Sequence, residues 1–346
     1  MARMNTLDPE RFPSCLKKDA SWPRKWEEAT IAPGAQADVD LAPACFDCGI
    51  AYVPNFFDNT VSVVDVVRAR EVTTVPVGSL PYAVRVSPDK RFVYVSNFGD
   101  DTLSVIRTFD NQVVATINLA TPSFPANGPE GVAVSPDNRY VYVANFLSDN
   151  MTVVDAIRRV VVTDVPFGTG AAHPAITPDG LLAYVTLPNA DEVAVVDLNV
   201  NLEVDRVTVG TDPEDIDIAR RKPLALVANQ VSDDVTAINT ALAAASGTPI
   251  PVGSVPTGVA TAPSEQVAYV TNQGSGTVSV VNIFTHSQVG TITVGNSPIG
   301  VDTTGGGRFV IVSNFADDTV SIVDAAQSLV QATVPVGSGP LFLAVL

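Results

Sequence analysis

The sequence predicts an all-β fold: a seven-bladed β-propeller of four-stranded antiparallel blades, closed by the C-terminal strand completing the first blade. Three observations carry this. A tetrad recurs at a near-constant interval, each interval reads as four short strands, and the two ends of the chain are complementary parts of one unit.

The tetrad is Tyr52-Val53-Pro54-Asn55, then Tyr94 to Asn97, Tyr142 to Asn145, Leu226 to Asn229, Tyr269 to Asn272 and Ile311 to Asn314. A degraded copy, Tyr184-Val185-Thr186-Leu187, has lost its Asn. Successive fourth positions lie 42, 48, 42, 42, 43 and 42 residues apart. Each unit shows period-2 alternation broken by turn residues. In the unit from Leu80 to Leu119, strand a is Tyr82 to Val86 and strand b is Phe92 to Ser96. Strand c is Thr102 to Ile106, and strand d runs from Gln112 to Leu119. Nothing between the strands is long enough for a crossover helix, which excludes a parallel α/β design. The first unit starts at strand b, and Leu341 to Val345 supplies the missing strand a.

These tetrads and their period resemble the YVTN-repeat propellers from Ala51 to the C-terminus, with the literal Tyr-Val-Thr-Asn at Tyr269 to Asn272. The resemblance implies an exported bacterial or archaeal surface protein or a lactonase-like propeller. It therefore implies an extracellular, cell-surface or periplasmic location. No signal peptide is visible in Met1 to Asp8.

Residues 1–49 read as a separate N-terminal extension before the propeller of residues 50–346. The extension holds both Trp residues, Trp22 and Trp26, and all three Cys. A disulfide from Cys15 to Cys45 or to Cys48 would close a loop of about 30 residues and tether the arm. A Cys45–Cys48 bridge is the alternative. Gly49 follows the Cys-x-x-Cys, so haem attachment is not indicated.

Composition narrows the partners. The chain is 46% apolar and 16% charged, with a net charge of −17. That charge repels nucleic acid and anionic lipid. No apolar run is long enough for a transmembrane helix. Connectivity puts the d–a and b–c connections on one face, the top, and the a–b and c–d turns on the other. The top holds Asp58, Asp100, Asp101, Asp149, Asp191, Glu192, Asp233, Asp234, Asp317 and Asp318, while the bases cluster in the bottom turns. Turn geometry accounts for the acids one by one. It does not account for bases avoiding the same face.

The d–a entries bring Glu130, His173, Glu214 and Asp215 from three adjacent blades to the channel mouth when Pro129-Glu130-Gly131 is aligned with Ala172-His173-Pro174 and Pro213-Glu214-Asp215. Oxygen ligands with one imidazole suit a divalent cation, Ca²⁺ or Mg²⁺, or an acid/base set. The alternative reading has His173, one of two His in the chain, simply filling a loop. Arg85, Asp217 and Asp302 are expected to line the channel as a mutually neutralising network. The one long interval places an insertion at Ala120 to Gly128, whose Phe124 and Asn127 mark a candidate binding loop. No serine-nucleophile elbow, phosphate loop or zinc-protease motif occurs. The expected function is a non-catalytic binding or scaffold propeller whose acidic top engages cations, a small ligand or a basic protein. The alternatives are a lactonase-like hydrolase or lyase using a divalent ion, and an accessory subunit docking a redox protein.

Overall fold

The computed structural model describes residues 49–120 and 126–346. The expectations for Cys15, Cys45, Cys48, Trp22, Trp26 and Phe124 lie outside the described residues. Seven antiparallel sheets form the ring, and the first runs Ala344–Val345, Ile50–Asn55, Thr60–Asp65, Arg70–Pro76. The C-terminal strand therefore completes blade one: Val345 pairs with Ala51, Ala344 with Tyr52, and Pro340 bridges Asn55.

Burial follows position in the blade. Strands b and c, such as Phe92–Asn97 and Thr102–Arg107, are buried on both faces between neighbouring blades. Their Val, Ile and Tyr side chains suit such a pleated, doubly covered strand. Val93, Val95 and Ile106 of blade two thus pack on Tyr52, Val61 and Val63 of blade one. Outer strand d is exposed or half-buried, as in Gln112–Asn118, where Ile117 alone is buried. Blade five departs from the pattern. Its strand d is split into Ala244–Ala245 and Ile250–Pro251 around Gly247, whose φ is +78°, and Pro249.

The tetrad Asn is a buried hydrogen-bonding node. Asn97 Nδ2 donates to Thr102 Oγ1 at 2.9 Å and Ser104 Oγ at 3.0 Å. Asn55, Asn272 and Asn314 make the same pair of bonds with Thr60 and Ser62, Thr277 and Ser279, and Thr319 and Ser321. A buried amide without such partners would cost about 1–3 kcal/mol. Blade four replaces the whole set together: Leu187 stands for Asn, and Ala194 takes the place of the second hydroxyl. Both are fully buried in one apolar cluster with Val185 and Phe167.

The residue before the Asn stitches blades together where it carries a hydroxyl. Thr186, Thr271 and Ser313 donate to the carbonyls of Glu214, Ile299 and Leu341 on the next blade at 2.6–2.7 Å. Ser96 donates likewise to the Glu130 carbonyl.

Candidate functional site

The inner strands begin with a bulge that builds the site. Pro81 pairs with Asn97, and the ladder resumes only at Val84 with Val95. The same skip follows Pro129, Pro213, Pro256 and Pro298. The two bulged residues of each blade are thus released from the ladder towards the channel. They are Tyr82 and Ala83, Glu130 and Gly131, and Glu214 and Asp215 in blades two, three and five. In blade four the strand starts only at Pro174, which leaves Ala172 and His173 in the equivalent positions.

This corrects the alignment of His173 by one residue. Its amide donates to Thr186 Oγ1, the bond that Gly258, Gly300 and Ala83 make to Thr271, Ser313 and Ser96. His173 therefore belongs with Gly131, Asp215 and Phe342, one layer below Glu130 and Glu214. Gly131 is needed beside it, since a Cβ there would lie 2.6 Å from both the His173 Cα and its ring.

The site is more enclosed than a channel mouth lined by solvated acids. Phe342 of blade one packs against the His173 ring with centroids 4.2 Å apart, and Tyr82 stacks on Phe342 at 5.6 Å. Tyr82 also meets Phe98 and Phe56, and Phe56 leads on to Phe57 and Phe315. Against this aromatic cluster Glu130 and His173 are buried. Tyr82 Oη donates to Glu214 Oε1 at 3.2 Å, and His173 Nδ1 lies 3.1 Å from the Glu214 carbonyl oxygen. Nδ1 therefore carries the proton, and Nε2 is left as a buried acceptor with no partner.

Burial sets the electrostatics. It lowers the His173 pKa to about 3, with Arg85 adding to the effect, so the imidazole is neutral. Its approach to Glu214 Oε1 at 4.0 Å is accordingly not an ion pair at neutral pH. Burial, then the charge of Asp215, raises Glu214 to about 8. Burial raises Asp215 to about 7 against the pull of the Val259 amide and Arg85. Glu130 is pushed well above the carboxylate range by burial and by Glu214.

The four residues expected as ligands thus share one end of the channel. Among the described residues, however, no three His, Cys, Asp or Glu side chains are arranged to hold a metal ion.

The deeper carboxylates have structural partners. An inner strand is a sheet edge whose channel-side amides need acceptors. Asp215 accepts from Val259, Asp217 from Thr261 and Asp302 from Val345, each across a blade boundary. Arg85 Nε donates to the Val132 carbonyl at 3.3 Å and forms no ion pair with these acids among the described residues.

Turn chemistry explains where the top acids sit. The last turn residue between strands b and c is left-handed: Asn59, Asp101, Asp149, Asp191, Asp233, Gly276 and Asp318 all have φ between +53° and +64°. Asn, Asp and Gly are the residues that tolerate this. Asp101, Asp191, Asp233 and Asp318 also accept the amides of Gly128, Asp212, Val255 and Gly339 in the adjoining d–a loops. Asn59 does the same for Leu80 without a charge. One turn earlier residue, Asp58, Asp100 or Asp317, caps another loop, as Ser148, Ser232 and Ser275 do elsewhere. Exposed Asn127 enters this pattern through its amide, which donates to Ser148. One base reaches the rim from the side: Arg206, on an outer strand, pairs with Glu192 and Glu203.

Tyr82, Phe342 and the tetrad hydroxyls were not singled out from sequence. The available signal was size, since Phe342 interrupts a layer otherwise rich in Gly and Ala.

Comparison with known proteins follows the fold. A family model described as "Lactonase, 7-bladed beta-propeller" matches residues 47–163, less than half of the chain. No curated protein matches the chain. Among solved structures, a Kuenenia stuttgartiensis hydrazine synthase chain superposes with a TM-score of 0.70 at 19% identity, covering 86% of this chain and 99% of that one. A functionally unknown protein from Desulfotomaculum acetoxidans gives 0.73 at 16% identity, covering 86% and 98%. The dihydro-heme d1 dehydrogenase NirN, in complex with DHE, gives 0.61 at 17% identity, covering 83% of this chain and 63% of that one. At these identities the likeness concerns the fold: this chain is similar to seven-bladed lactonase-type propellers in part of its sequence and to propeller chains of diverse role in its structure.

Proposed function

We propose that the chain is a non-catalytic, exported binding propeller whose acidic top face engages a basic protein partner. One observation carries this: the rim turns require a left-handed residue and an amide acceptor, yet not a charge. Asn59 meets both needs without a charge, Gly276 meets the first, and the three Ser residues meet the second. Charged Asp nevertheless fills most of the remaining positions, with bases kept to the bottom turns, the channel and the outer strand. Single-sign fields of this kind steer oppositely charged partners.

The test is binding of oligolysine across a salt series, comparing the wild type with a variant in which Asp58, Asp100, Asp101, Asp317 and Asp318 are all changed to Asn. Affinity should fall about tenfold or more and lose most of its salt dependence. Equal affinity for both proteins rejects the reading.

A second reading, hydrolysis of a lactone in the channel, is favoured by the family match over residues 47–163 and by the buried His173 imidazole beside the Glu214 carboxyl. Turnover of a simple lactone that disappears in both Glu130→Gln and His173→Phe would favour it over the first.

A further inference from the structure

We infer that the top face carries a docking crescent across blades seven, one, two and three for an arginine-rich segment of a protein partner, whose guanidinium groups stack on phenylalanine rings and pair with the Asp side chains beside them. This rests on the reading of the top as the surface that meets a basic protein, and it names where on the ring the partner sits and which side chain it presents.

The first residue after each tetrad opens the b–c turn. Its amide donates to a d–a loop carbonyl whatever its side chain. Phe56 bonds Gly339, Phe98 bonds Leu80, Phe146 bonds Gly128 and Phe315 bonds Ser297, but Gln230 and Gln273 make the same bond to Asp212 and Val255. The turn therefore does not call for an aromatic residue. Gln serves in blades five and six and Pro188 in blade four, whereas four neighbouring blades place Phe there.

The rings form a continuous row over the top. Phe315 meets Phe57 with centroids 5.9 Å apart, Phe57 meets Phe56 at 5.2 Å, Phe56 meets Tyr82 at 6.4 Å and Tyr82 meets Phe98 at 6.1 Å. Leu147 extends the row to blade three, since a Cβ on Gly128 would lie 2.8 Å from Leu147 and 3.0 Å from the Phe98 ring. Phe56 and Phe315 rest on the apolar cluster of Ile299, Leu341 and Phe342, which seats the row firmly. Its outer members stay in solvent: Phe57 is 59% exposed and Leu147 55%, with Phe98 and Phe315 half-buried. A contiguous apolar row rimmed by polar groups is the mark of an interaction surface.

Exposed carboxylates flank it. Asp58 follows Phe57, Asp100 lies two residues after Phe98, and Asp317 two after Phe315. Asp58 and Asp100 each hold one loop amide, of Ser338 and Ser79, and Asp317 holds Asn296. These bonds fix the carboxylates in place, and an ionised carboxylate has room for about four donors, so each can take more. A side chain that meets ring face and carboxylate together must be flat, weakly hydrated and rich in donors. Guanidinium has all three properties, while the lysine ammonium is compact and strongly hydrated.

The experiment titrates the full chain with labelled oligoarginine and oligolysine of equal length across a salt series. Oligoarginine should bind about tenfold more tightly or better, and its preference should persist at salt concentrations that remove oligolysine. Combining Phe57→Ser, Phe98→Gln and Phe315→Gln should abolish that preference while leaving oligolysine affinity unchanged. Gln is the residue that the same turn already holds in blades five and six, and melting curves check that the ring is intact. Phe57→Ser alone, at a mostly exposed ring, should lower oligoarginine affinity about threefold. Phe109→Ser, at an exposed ring on the opposite face, should change nothing. The five-fold Asp→Asn rim variant should weaken both peptides and keep the order between them. Equal affinity of the wild type for the two peptides, or a preference that survives the triple variant, overturns this inference and leaves the acidic-face reading standing. Binding of neither peptide overturns both.

Discussion

The hydroxyl of Tyr82 on blade two meets Oε1 of Glu214 on blade five at 3.2 Å. One phenol therefore spans the channel and ties two blades that share no strand pairing. The bond favours the Glu214 carboxylate and opposes burial, which pushes the same group up to about 8.

Tyr82→Phe should raise the Glu214 pKa further, because it removes the donor and leaves the desolvation. Carboxyl ¹³C titration of the variant against the wild type measures this. The bond itself should be worth about 1 kcal/mol of stability. An unchanged or lower pKa would show that the contact is not formed in solution.

Stability should fall between about pH 6.5 and 8. Glu214 and Asp215 have folded pKa values of about 8 and 7, raised above ordinary values of 4.5 and 3.8. The folded state then holds protons that the unfolded chain has released, so stability present below the ordinary values is lost as pH rises through the folded ones. His173 acts in the opposite sense at lower pH: lowered from 6.5 to about 3, it makes stability rise with pH over that interval. Above 6.5 only the acids titrate in this set. Glu130, pushed well above its ordinary value, and Asp302 and Asp212, raised from theirs, act in the same direction as Glu214 and Asp215, while Arg85 is the positive charge acting on His173, Asp215 and Asp302. Denaturant unfolding at several pH values should show the slope in the wild type and a flatter one in Glu214→Gln.

Charge and geometry should separate at Asp318. Asp318→Asn keeps a left-handed residue and an acceptor for the Gly339 amide, so stability should change by only a few tenths of a kcal/mol. Asp318→Val loses the acceptor and places a β-branched residue at φ +53°, which should cost about 2–3 kcal/mol. Equal melting temperatures for the two variants would reject the turn account.

Blade four should accept the common network only as a unit. Leu187→Asn alone buries an amide beside Ala194 and should destabilise by about 2–4 kcal/mol. Adding Glu192→Thr and Ala194→Ser supplies the two hydroxyls found at the same offsets in blades one, two, six and seven. The triple variant should recover at least half of the loss. Simple additivity of the three changes would overturn the idea of a coupled set.

The ring was legible in the sequence because one unit is repeated and each copy obeys the same alternation. Closure by Leu341 to Val345 was legible too, since a missing strand a at one end matched an extra one at the other. The site was legible only in part. Glu130, Glu214 and Asp215 do project from one end of the channel, but the bulge that frees them is invisible to alternation, as it leaves strand length unchanged. His173 was misplaced by one step because Ala172, rather than Ala171, was matched to the prolines of other blades. The aromatic cluster at the site joins Tyr82 to Phe342, residues from distant parts of the chain that only ring closure brings together.

That closure also shapes how the chain must fold. Within each blade, strand partners are local and can form hairpins early, whereas Ala51 must find Val345 across nearly the whole chain. The entropy of such a search grows only with the logarithm of loop length, so joining the ring asks about 2 kcal/mol more than closing a loop one blade long. The thermodynamic burden is therefore modest and the kinetic one is not: until the last strand arrives, Ile50–Asn55 presents an unpaired, fully apolar-flanked edge. Aggregation during refolding should be governed by the lifetime of that open ring, rather than by the stability of any single blade.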